Sequence, residues 1–165
     1  MLYLQNKILI MSFTLDATDL KILAHLQPDA CLQNTELAKK IGMAPSAVLE
    51  RVKKLEQKGV IQAYSTRINP SSLDLKLLAF IYIKSSAGPG DESTAKQIAK
   101  IPEVLELHHI AGEDCYLAKV RTRDPQSLVE LMRNKFGKIP KIISTKTTIV
   151  LETRKEENYL PIPKD

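Results

Sequence analysis

The chain has no tryptophan, and its three Phe and five Tyr keep the aromatic content at 5% of 165 residues. Its hydrophobic cores must therefore be built mainly from Leu, Ile, Val and Ala. Cysteine is equally scarce, because Cys31 and Cys115 stand far apart and fit no metal-ligand spacing. This pattern predicts two reduced thiols in a cytoplasmic protein, with neither a disulfide framework nor a metal site.

Long apolar runs are also missing. The longest one near the start is Ile8–Met11, which is too short for a membrane span or a signal-peptide core. Regular patterning begins only after Met11, which makes that residue a plausible alternative start. Residues 1–14 are therefore interpreted as an N-terminal arm, as a strand exchanged with another copy, or as a mis-assigned start.

The positive charge is concentrated in one part of the chain. The formal net charge is +5, and charged residues make up 26% of the composition. Residues 34–70 hold seven basic side chains against three acidic ones, a local excess of four. A polyanionic partner is compatible with this concentration of charge, although a basic helix face is more often simply solvated.

Residues 16–58 show a helical period and predict three helices. The helices are bounded by capping and breaking residues: Asp16 and Pro28, Asn34 or Thr35 and Gly42, and Pro45 and Gly59. The third helix is expected to bury Val48, Leu49, Val52 and Leu55. Ala44 stands where a capping serine would help, since alanine at that position costs about 1 kcal/mol. Residues 60–68 then alternate with a period of two, which predicts a short β-hairpin.

The second and third helices, joined by a tight turn at Gly42–Ala44, match a helix-turn-helix unit. In such a unit the second helix enters the major groove with its N-terminal residues toward the base edges. Ser46 and Glu50 are expected to bond bases, Arg51 to reach guanine or phosphate, and the lysines to contact phosphates. Alternatively, Glu50 pairs with a lysine one turn later. The full set of expected DNA contacts is Thr35, Ser46, Ala47, Glu50, Arg51, Lys53, Lys54, Lys58 and Arg67.

The second half of the chain predicts the order β-α-β-β-α-β, the ferredoxin-like arrangement, so the fold class is α+β. Strands are expected over Leu77–Ile83, Val104–Ile110, Tyr116–Thr122 and Ile142–Glu152, with helices from Asp91 to about Ile101 and from Asp124 to Gly137. The predicted domains are a helix-turn-helix domain with its hairpin over 15–69, a linker over 70–76, a ligand-sensing and oligomerisation domain over 77–160, and a tail over 161–165.

Four segments together carry a family resemblance: LDATDLKIL at 15–23, TELAKKIG at 35–42, LERVKKLEQKGVI at 49–61 and AGEDCYL at 111–117. By their order and spacing the chain resembles the Lrp/AsnC, or feast/famine, regulators from Leu15 to about Leu160. The resemblance implies a winged helix-turn-helix, a C-terminal RAM domain and sequence-specific binding to a pseudo-palindromic double-stranded DNA operator. It further implies homodimers formed through the C-terminal sheets, often assembled into octamers, and a small effector, commonly an amino acid, bound between dimers.

The resemblance places the effector near the turn at 111–114. The implied contacts are Gly112, Glu113, Asp114, Cys115, Tyr116, Thr145 and Thr147. Gly112 lets a ligand approach the backbone, but it is equally well an ordinary turn glycine. Cys115 departs from the family, in which an acidic residue commonly stands there, so a different ligand or weak binding is expected unless Asp114 substitutes. Thr145 and Thr147 are otherwise ordinary strand formers.

Two other functions compete with this interpretation. The first is enzymatic, because siroheme decarboxylases share the architecture and His108 and His109 are adjacent. Adjacent strand residues point to opposite faces, so at most one histidine lines a given pocket. The sequence offers no nucleophile–base pair and no phosphate-binding glycine loop, and we expect a non-enzyme without a cofactor. The second is a ligand-binding protein that no longer contacts DNA, which a lack of salt-sensitive DNA binding would favour.

Overall fold

The computed structural model describes residues 14–88, 90–112 and 115–163, and these form two compact units. The first unit contains residues 14–66 together with 157–163, and the second contains the described part of 67–156. The division after Thr66 falls just before the expected domain boundary at residue 69. Residues 157–163 belong to the first unit, whereas the sequence pattern assigned residues up to 160 to the sensing domain and 161–165 to a tail.

Three helices build the first unit: α1 (Ala17–Leu26), α2 (Asn34–Ile41) and α3 (Pro45–Gln57). Asp16 caps α1 as predicted, because its Oδ1 accepts the Asp19 amide at 2.8 Å and its own amide donates to Asp19 Oδ2 at 3.3 Å. Gly42 ends α2 with a left-handed φ of 71°. The expected cap at Asn34 or Thr35 is wrong: α2 begins at Asn34, and its cap is Gln33, which makes no side-chain capping bond.

The core of the first unit lies between the three helices. The buried residues are Ile22, Leu26, Leu37, Ala38, Val48, Val52 and Leu55. Leu49, expected in this core, is instead 40% exposed. Val48, Val52 and Leu55 follow the i, i+4, i+7 spacing of one helix stripe, and Leu49 lies about 100° around the helix from Val48.

The predicted hairpin at 60–68 does not form within the single chain. No strand is assigned to residues 60–69, and residues 62–69 are exposed along their whole length. The segment contains no Asn-Gly or similar two-residue turn that would bring two short strands together. An isolated two-stranded hairpin is also only marginally stable without a third strand. A 3₁₀ turn at Pro70–Leu73 follows, inside the expected linker.

The second unit is a four-stranded sheet with two helices. Its strands are β1 (Leu77–Ser85), β2 (Val104–His109), β3 (Tyr116–Thr122) and β4 (Ile142–Ile149), and its helices are α4 (Ser93–Ile98) and α5 (Pro125–Asn134), the latter followed by a 3₁₀ turn at Phe136–Lys138. The strand order is β2-β3-β1-β4, with every neighbouring pair antiparallel. The predicted ferredoxin-like α+β class is confirmed.

Several element ends differ from the sequence expectation, among them those of α4 and β4. α4 is shorter than predicted, although Asp91 does accept the Ser93 amide at 2.9 Å just before it begins. β4 ends at Ile149 rather than Glu152, and its last paired residue, Ile149, lies opposite Ala79 of β1. One further amide, that of Val150, donates to Leu78 O at 2.9 Å.

The core of the second unit lies between the sheet and the two helices. Alternate residues of the central strands face it, as Ile81 of β1 and Ala118 of β3 do, and both are fully buried. α5 contributes Leu128 and Leu131, and Phe136 of the following turn is 1% exposed. The opposite face of the sheet carries the intervening residues, and this alternation decides which predicted site residues reach the surface.

Candidate functional site

The predicted recognition helix α3 presents one apolar and one polar side. Pro45 occupies its first turn, and Ala44 at the cap position makes no side-chain bond to the helix amides. Val48, Val52 and Leu55 hold α3 against the rest of the first unit. The side away from this core is polar and solvent-accessible over the length of the helix. α3 is therefore a basic helix that is held by its apolar side, and its N-terminal end, just after the tight turn from α2, is accessible to solvent.

Most of the predicted DNA contacts are accessible, on α3 itself or, for Thr35, on α2. Exposed positions are Thr35, Ser46, Glu50, Lys53, Lys54 and Lys58, and Ala47 is half-buried. Ser46 and Ala47 belong to the first turn of α3, where a helix entering the major groove approaches base edges. The lysines continue toward the C-terminal end, where a phosphate backbone is reached more easily than a base. Two other predicted contacts, Arg51 and Arg67, are placed differently.

Arg51 does not point freely outward, contrary to the sequence expectation. Its Nη1 atom lies 2.7 Å from Asp16 Oδ2 and 2.8 Å from Asp19 Oδ1, at the N-terminal cap of α1. The Asp19 side chain is only 7% exposed, and Arg51 compensates its charge. The capping bond from the Asp19 amide and the bond from Arg51 lower the pKa of Asp16, and the two carboxylates raise the pKa of Arg51. Arg51 thus ties α3 to α1.

Arg67 belongs to the second unit and not to a wing beside α3. It is exposed, and its Nη2 donates to the backbone carbonyl of Glu156. No hairpin forms over 60–69, so the expected wing that was to supply Arg67 as a DNA-backbone contact is absent from the single chain. Tyr64, from the same extended segment, donates its hydroxyl to Glu56 Oε1 of α3 at 2.8 Å.

The predicted effector turn joins β2 to β3. Gly112 is exposed and has a φ of +137°, a backbone conformation open to glycine and strained for other residues. A Cβ added there would meet no atom within 4 Å, so the backbone is accessible from outside. Glu113 and Asp114, also predicted contacts, lie outside the described residues.

Cys115 and Tyr116 are turned into the domain. The Cys115 amide donates to Ile83 O at 2.9 Å, and its Sγ lies 3.6 Å from Ser85 O. Tyr116 is only 7% exposed, and burial raises the pKa of its hydroxyl. The ring of His109 packs on Tyr116 with centroids 5.2 Å apart. Cys115 and Tyr116 are therefore better placed to support the turn than to contact a ligand from solvent.

Thr145 and Thr147 lie exposed on β4, at the edge of the sheet. Ile83 of β1 pairs with Tyr116 on one side and with Thr145 on the other, so the three form one row across the sheet. Thr147 lies two residues further along β4, opposite Ile81. The register thus brings the end of the effector turn and Thr145 to the same end of the sheet, two strands apart, which is about 10 Å.

One charged cluster was not predicted from the sequence. On the sheet face away from the helices, Lys119 Nζ lies 2.9 Å from Glu106 Oε1 and 2.6 Å from Glu156 Oε1. Arg121 Nη2 lies 3.0 Å from Glu156 Oε2. The alternation of Lys119 and Arg121 along β3 could have indicated that both cations lie on one face of the sheet. Nothing in the sequence indicated that Glu156 pairs with them, because it lies beyond the last strand and reaches β3 only through the tertiary fold.

Features of other protein classes are not found in the described part of the chain. No three His, Cys, Asp or Glu side chains among residues 14–88, 90–112 and 115–163 are arranged to hold a metal ion. Over the same residues, no helix is long and apolar enough to cross a membrane. His108 pairs with Leu117 and His109 with Tyr116, so consecutive residues of β2 place the two histidines on opposite faces.

Comparison with known proteins agrees with both units. Residues 15–62 match the family described as winged helix-turn-helix DNA-binding, and residues 78–160 match the Lrp/AsnC ligand binding domain. The leucine-responsive regulatory protein of Escherichia coli K12 is 37% identical over 150 residues, covering 90% of this chain and 92% of that protein. The Klebsiella pneumoniae protein of the same name has the same identity and coverage.

Two solved structures share the whole architecture. A transcriptional regulator from Neisseria meningitidis, in complex with L-methionine, superposes with a TM-score of 0.84 at 32% identity, covering 90% of this chain and 97% of that chain. A feast or famine regulatory protein from Mycobacterium tuberculosis, complexed with L-methionine, gives 0.83 at 31% identity, covering 91% and 100%.

A helix-turn-helix unit with an accessible basic helix, followed by a ferredoxin-like domain, defines a two-domain DNA-binding transcriptional regulator. The matches span nearly the whole described chain in one order. The chain belongs to the Lrp/AsnC family.

Proposed function

We propose that this regulator binds its operator through the exposed side of α3 and is modulated by an amino acid at the β2–β3 turn. The single observation that carries the DNA-binding part is the geometry of α3. Its apolar stripe is buried, and Ser46, Glu50 and Lys53 remain accessible on the other side. Ser46 and Glu50 are assigned to base edges, while Lys53 and Lys58 are assigned to phosphates.

Salt dependence of binding tests this division of roles. We expect Lys53→Ala and Lys58→Ala each to reduce the slope of log K against log [salt] by about 1, uniformly across DNA sequences. Ser46→Ala and Glu50→Ala should instead relax sequence preference at single positions, by about 1–3 kcal/mol, with the salt slope preserved. Fluorescence anisotropy with a labelled operator and a scrambled duplex measures both. Salt-insensitive binding by the unmodified protein would exclude the assignment.

Binding as a homodimer would present two copies of α3 to a pseudo-palindromic operator. The apolar residues on the sheet face away from the helices support dimerisation there, since Phe80 and Tyr82 of β1 remain partly accessible in the single chain. Footprinting should then show two half-sites separated by whole helical turns. Assembly of dimers into an octamer is part of the same proposal, and light scattering measures it.

An amino-acid effector is proposed for the turn that contains Gly112. Its supports are the accessible backbone of Gly112, the exposed Thr145 at the same end of the sheet, and L-methionine in the two solved relatives. Thermal unfolding with each amino acid, beginning with L-methionine, tests it. A ligand present at 100 times its dissociation constant stabilises the native state by about 2.7 kcal/mol. Unchanged unfolding with all amino acids would refute amino-acid binding.

We propose a non-enzymatic protein acting in the cytoplasm, where its DNA target lies. The relatives are transcription regulators, and the separation of His108 and His109 onto opposite faces argues against a two-histidine site. A purified protein that binds a tetrapyrrole would reopen the enzymatic alternative.

A further inference from the structure

The chain passes between the two units at two places, after Thr66 and after Glu156. The two ends of the second unit lie together, because Arg67 Nη2 donates to the backbone carbonyl of Glu156. These residues are 89 positions apart in the chain, yet both connections leave the second unit from one place. A group that holds this place therefore restrains both connections.

The Glu156 side chain attaches this place to strand β3. Its Oε1 lies 2.6 Å from Lys119 Nζ, and its Oε2 lies 3.0 Å from Arg121 Nη2. The two cations are mostly buried, with 14% and 13% of their side chains exposed. Water and salt screen such a pair less than a pair on the open surface, so the attachment is stronger than most surface ion pairs.

Lys119 is shared between Glu156 and a second acid. Its Nζ also lies 2.9 Å from Oε1 of Glu106, the residue opposite Lys119 on β2. The turn that contains Gly112 joins β2 to β3, and the pairing of these strands shifts between Val104 and Glu106. A movement of β2 against β3 therefore changes how Lys119 divides its bonds between the two glutamates. Such a choice between two partners is the kind of element that carries coupling between distant sites.

We propose that Glu156 is a positioning residue that couples the β2–β3 turn to the DNA-binding unit. The proposal rests on the proposed effector at that turn. Occupancy of the turn shifts Lys119 toward Glu106 or toward Glu156, which loosens or tightens the attachment of both connections to β3. Because the connections are held at one place, a single shared lysine acts on both at once. Coupling of this kind changes affinity by about 5- to 150-fold.

Limited proteolysis tests the attachment in the absence of any effector. Trypsin cleaves after Arg67, which is exposed and 89 positions from Glu156, so this bond reports on Glu156→Gln without a change in the sequence around it. We expect Glu156→Gln to accelerate this cleavage by about tenfold, the effect of losing one hydrogen bond to a charged group. Arg121→Gln, which removes the other half of the same pair, should accelerate it as well.

Glu152→Gln is the matched control, because it removes the same charge from an exposed side chain that pairs with Arg154 at 2.8 Å. It should leave cleavage after Arg67 unchanged. Unchanged cleavage in Glu156→Gln would overturn the proposal. If Glu156→Gln does not fold, Arg121→Gln decides in its place.

Operator affinity with and without L-methionine tests the coupling itself. We expect L-methionine to change the affinity of the unmodified protein by about fivefold or more, and that of Glu156→Gln by less than about twofold. Glu152→Gln should respond as the unmodified protein does. Stabilisation by L-methionine and the mass of the dimer should be retained in Glu156→Gln, because the turn itself is intact.

A full response of operator affinity in Glu156→Gln overturns the proposal. Loss of the stabilisation by L-methionine in this variant overturns it too, since Glu156 would then act at the ligand site. If L-methionine affects neither the unfolding nor the operator affinity of the unmodified protein, the proposed effector and this coupling are both wrong. Accelerated cleavage after Arg67 would then separate that result from a failure of the attachment.

Discussion

Arg51 shows how a single contact changes the role of a residue. On the sequence it is a cation on the polar side of a recognition helix, next to Glu50. In the folded unit its guanidinium bridges Asp16 and the buried Asp19. A cation engaged by two carboxylates loses much of its availability for DNA, because base contact would leave Asp19 without its counter-charge. The main role of Arg51 is therefore to stabilise the first unit, not to bind DNA.

We expect Arg51→Ala to lower the free energy of unfolding by about 1.5–3 kcal/mol, the usual value of hydrogen bonds to charged groups. Urea unfolding followed by circular dichroism measures the change. Lys53→Ala is the control on the same helix, and as an exposed substitution it should stay within about 0.5 kcal/mol. Wild-type stability of Arg51→Ala, accompanied by lost operator affinity, would restore the base-reading role.

The backbone conformation of Gly112 leads to a second prediction at the scale of single residues. Its φ of +137° disfavours any side chain, although there is space for one. We expect Gly112→Asp to abolish the stabilisation by the amino-acid effector while the mass of the dimer is retained. Thermal unfolding with and without ligand, together with light scattering, measures the two properties. Gly88→Asp is the matched control, since Gly88 is exposed and lacks a left-handed φ; a normal ligand response in Gly112→Asp contradicts the site.

At the scale of elements, α3 is stabilised by the packing of its apolar side and lacks a side-chain cap at its N-terminal end. Its cap residue Ala44 has extended φ and ψ of −69° and 140° but no side-chain oxygen for the first-turn amides. α1, by contrast, has a complete capping box at Asp16 and Asp19. The free amides at the start of α3 are available to solvent or to a phosphate group.

A serine at this cap should stabilise α3. We expect Ala44→Ser to raise the free energy of unfolding by about 0.5–2 kcal/mol, because its hydroxyl accepts an amide of the first turn. Urea unfolding gives the value, and Ala63→Ser, outside the helices, serves as the control with no expected gain. A destabilised Ala44→Ser protein would mean that the helix end is restrained by packing that a hydroxyl disturbs.

At the scale of the whole molecule, ion pairs in the second unit make its stability depend on pH. Glu106 and Glu156 of the second unit form ion pairs with Lys119 and Arg121 on the sheet face away from the helices. Bonds from Lys119 are the main cause that lowers the pKa of each, from an ordinary value of 4.5. A carboxylate with a lowered folded-state pKa stabilises the fold above its unfolded value. That stabilisation is lost as the pH falls from 4.5 through the lower, folded-state pKa.

We therefore expect the stability of the second unit to fall below pH 4.5, and Glu156→Gln to flatten this decline. Glutamine cannot gain a proton there, so one source of acid sensitivity is removed. Unfolding midpoints between pH 3 and pH 7 measure it, with Glu130→Gln, an exposed glutamate on α5, as the control. An acid decline of unchanged steepness in Glu156→Gln would show that this ion pair contributes no pH dependence.

Local signals in the chain were sufficient for much of this architecture. The three helices, Asp16 as a cap, Gly42 as a terminator and the β-α-β-β-α-β order all follow from short-range periodicity and capping chemistry. These features depend on residues within a few positions of one another. The polar side of α3 was predictable for the same reason, since helical spacing alone separates Ser46 and Glu50 from Val48 and Val52.

Contacts between residues far apart in the chain could not be predicted from such short-range patterns. The engagement of Arg51 by Asp16 joins residues 35 positions apart, and the attachment of Leu160 to Gln27 joins residues 133 positions apart. The absent hairpin at 60–68 has the same origin, because alternation indicates an extended chain but does not supply a partner strand. Sequence by itself determined the helices, the four strands of the second unit, their order and the regulator class. Only tertiary structure decided which charges remain available to DNA, because availability depends on what each side chain meets across the fold.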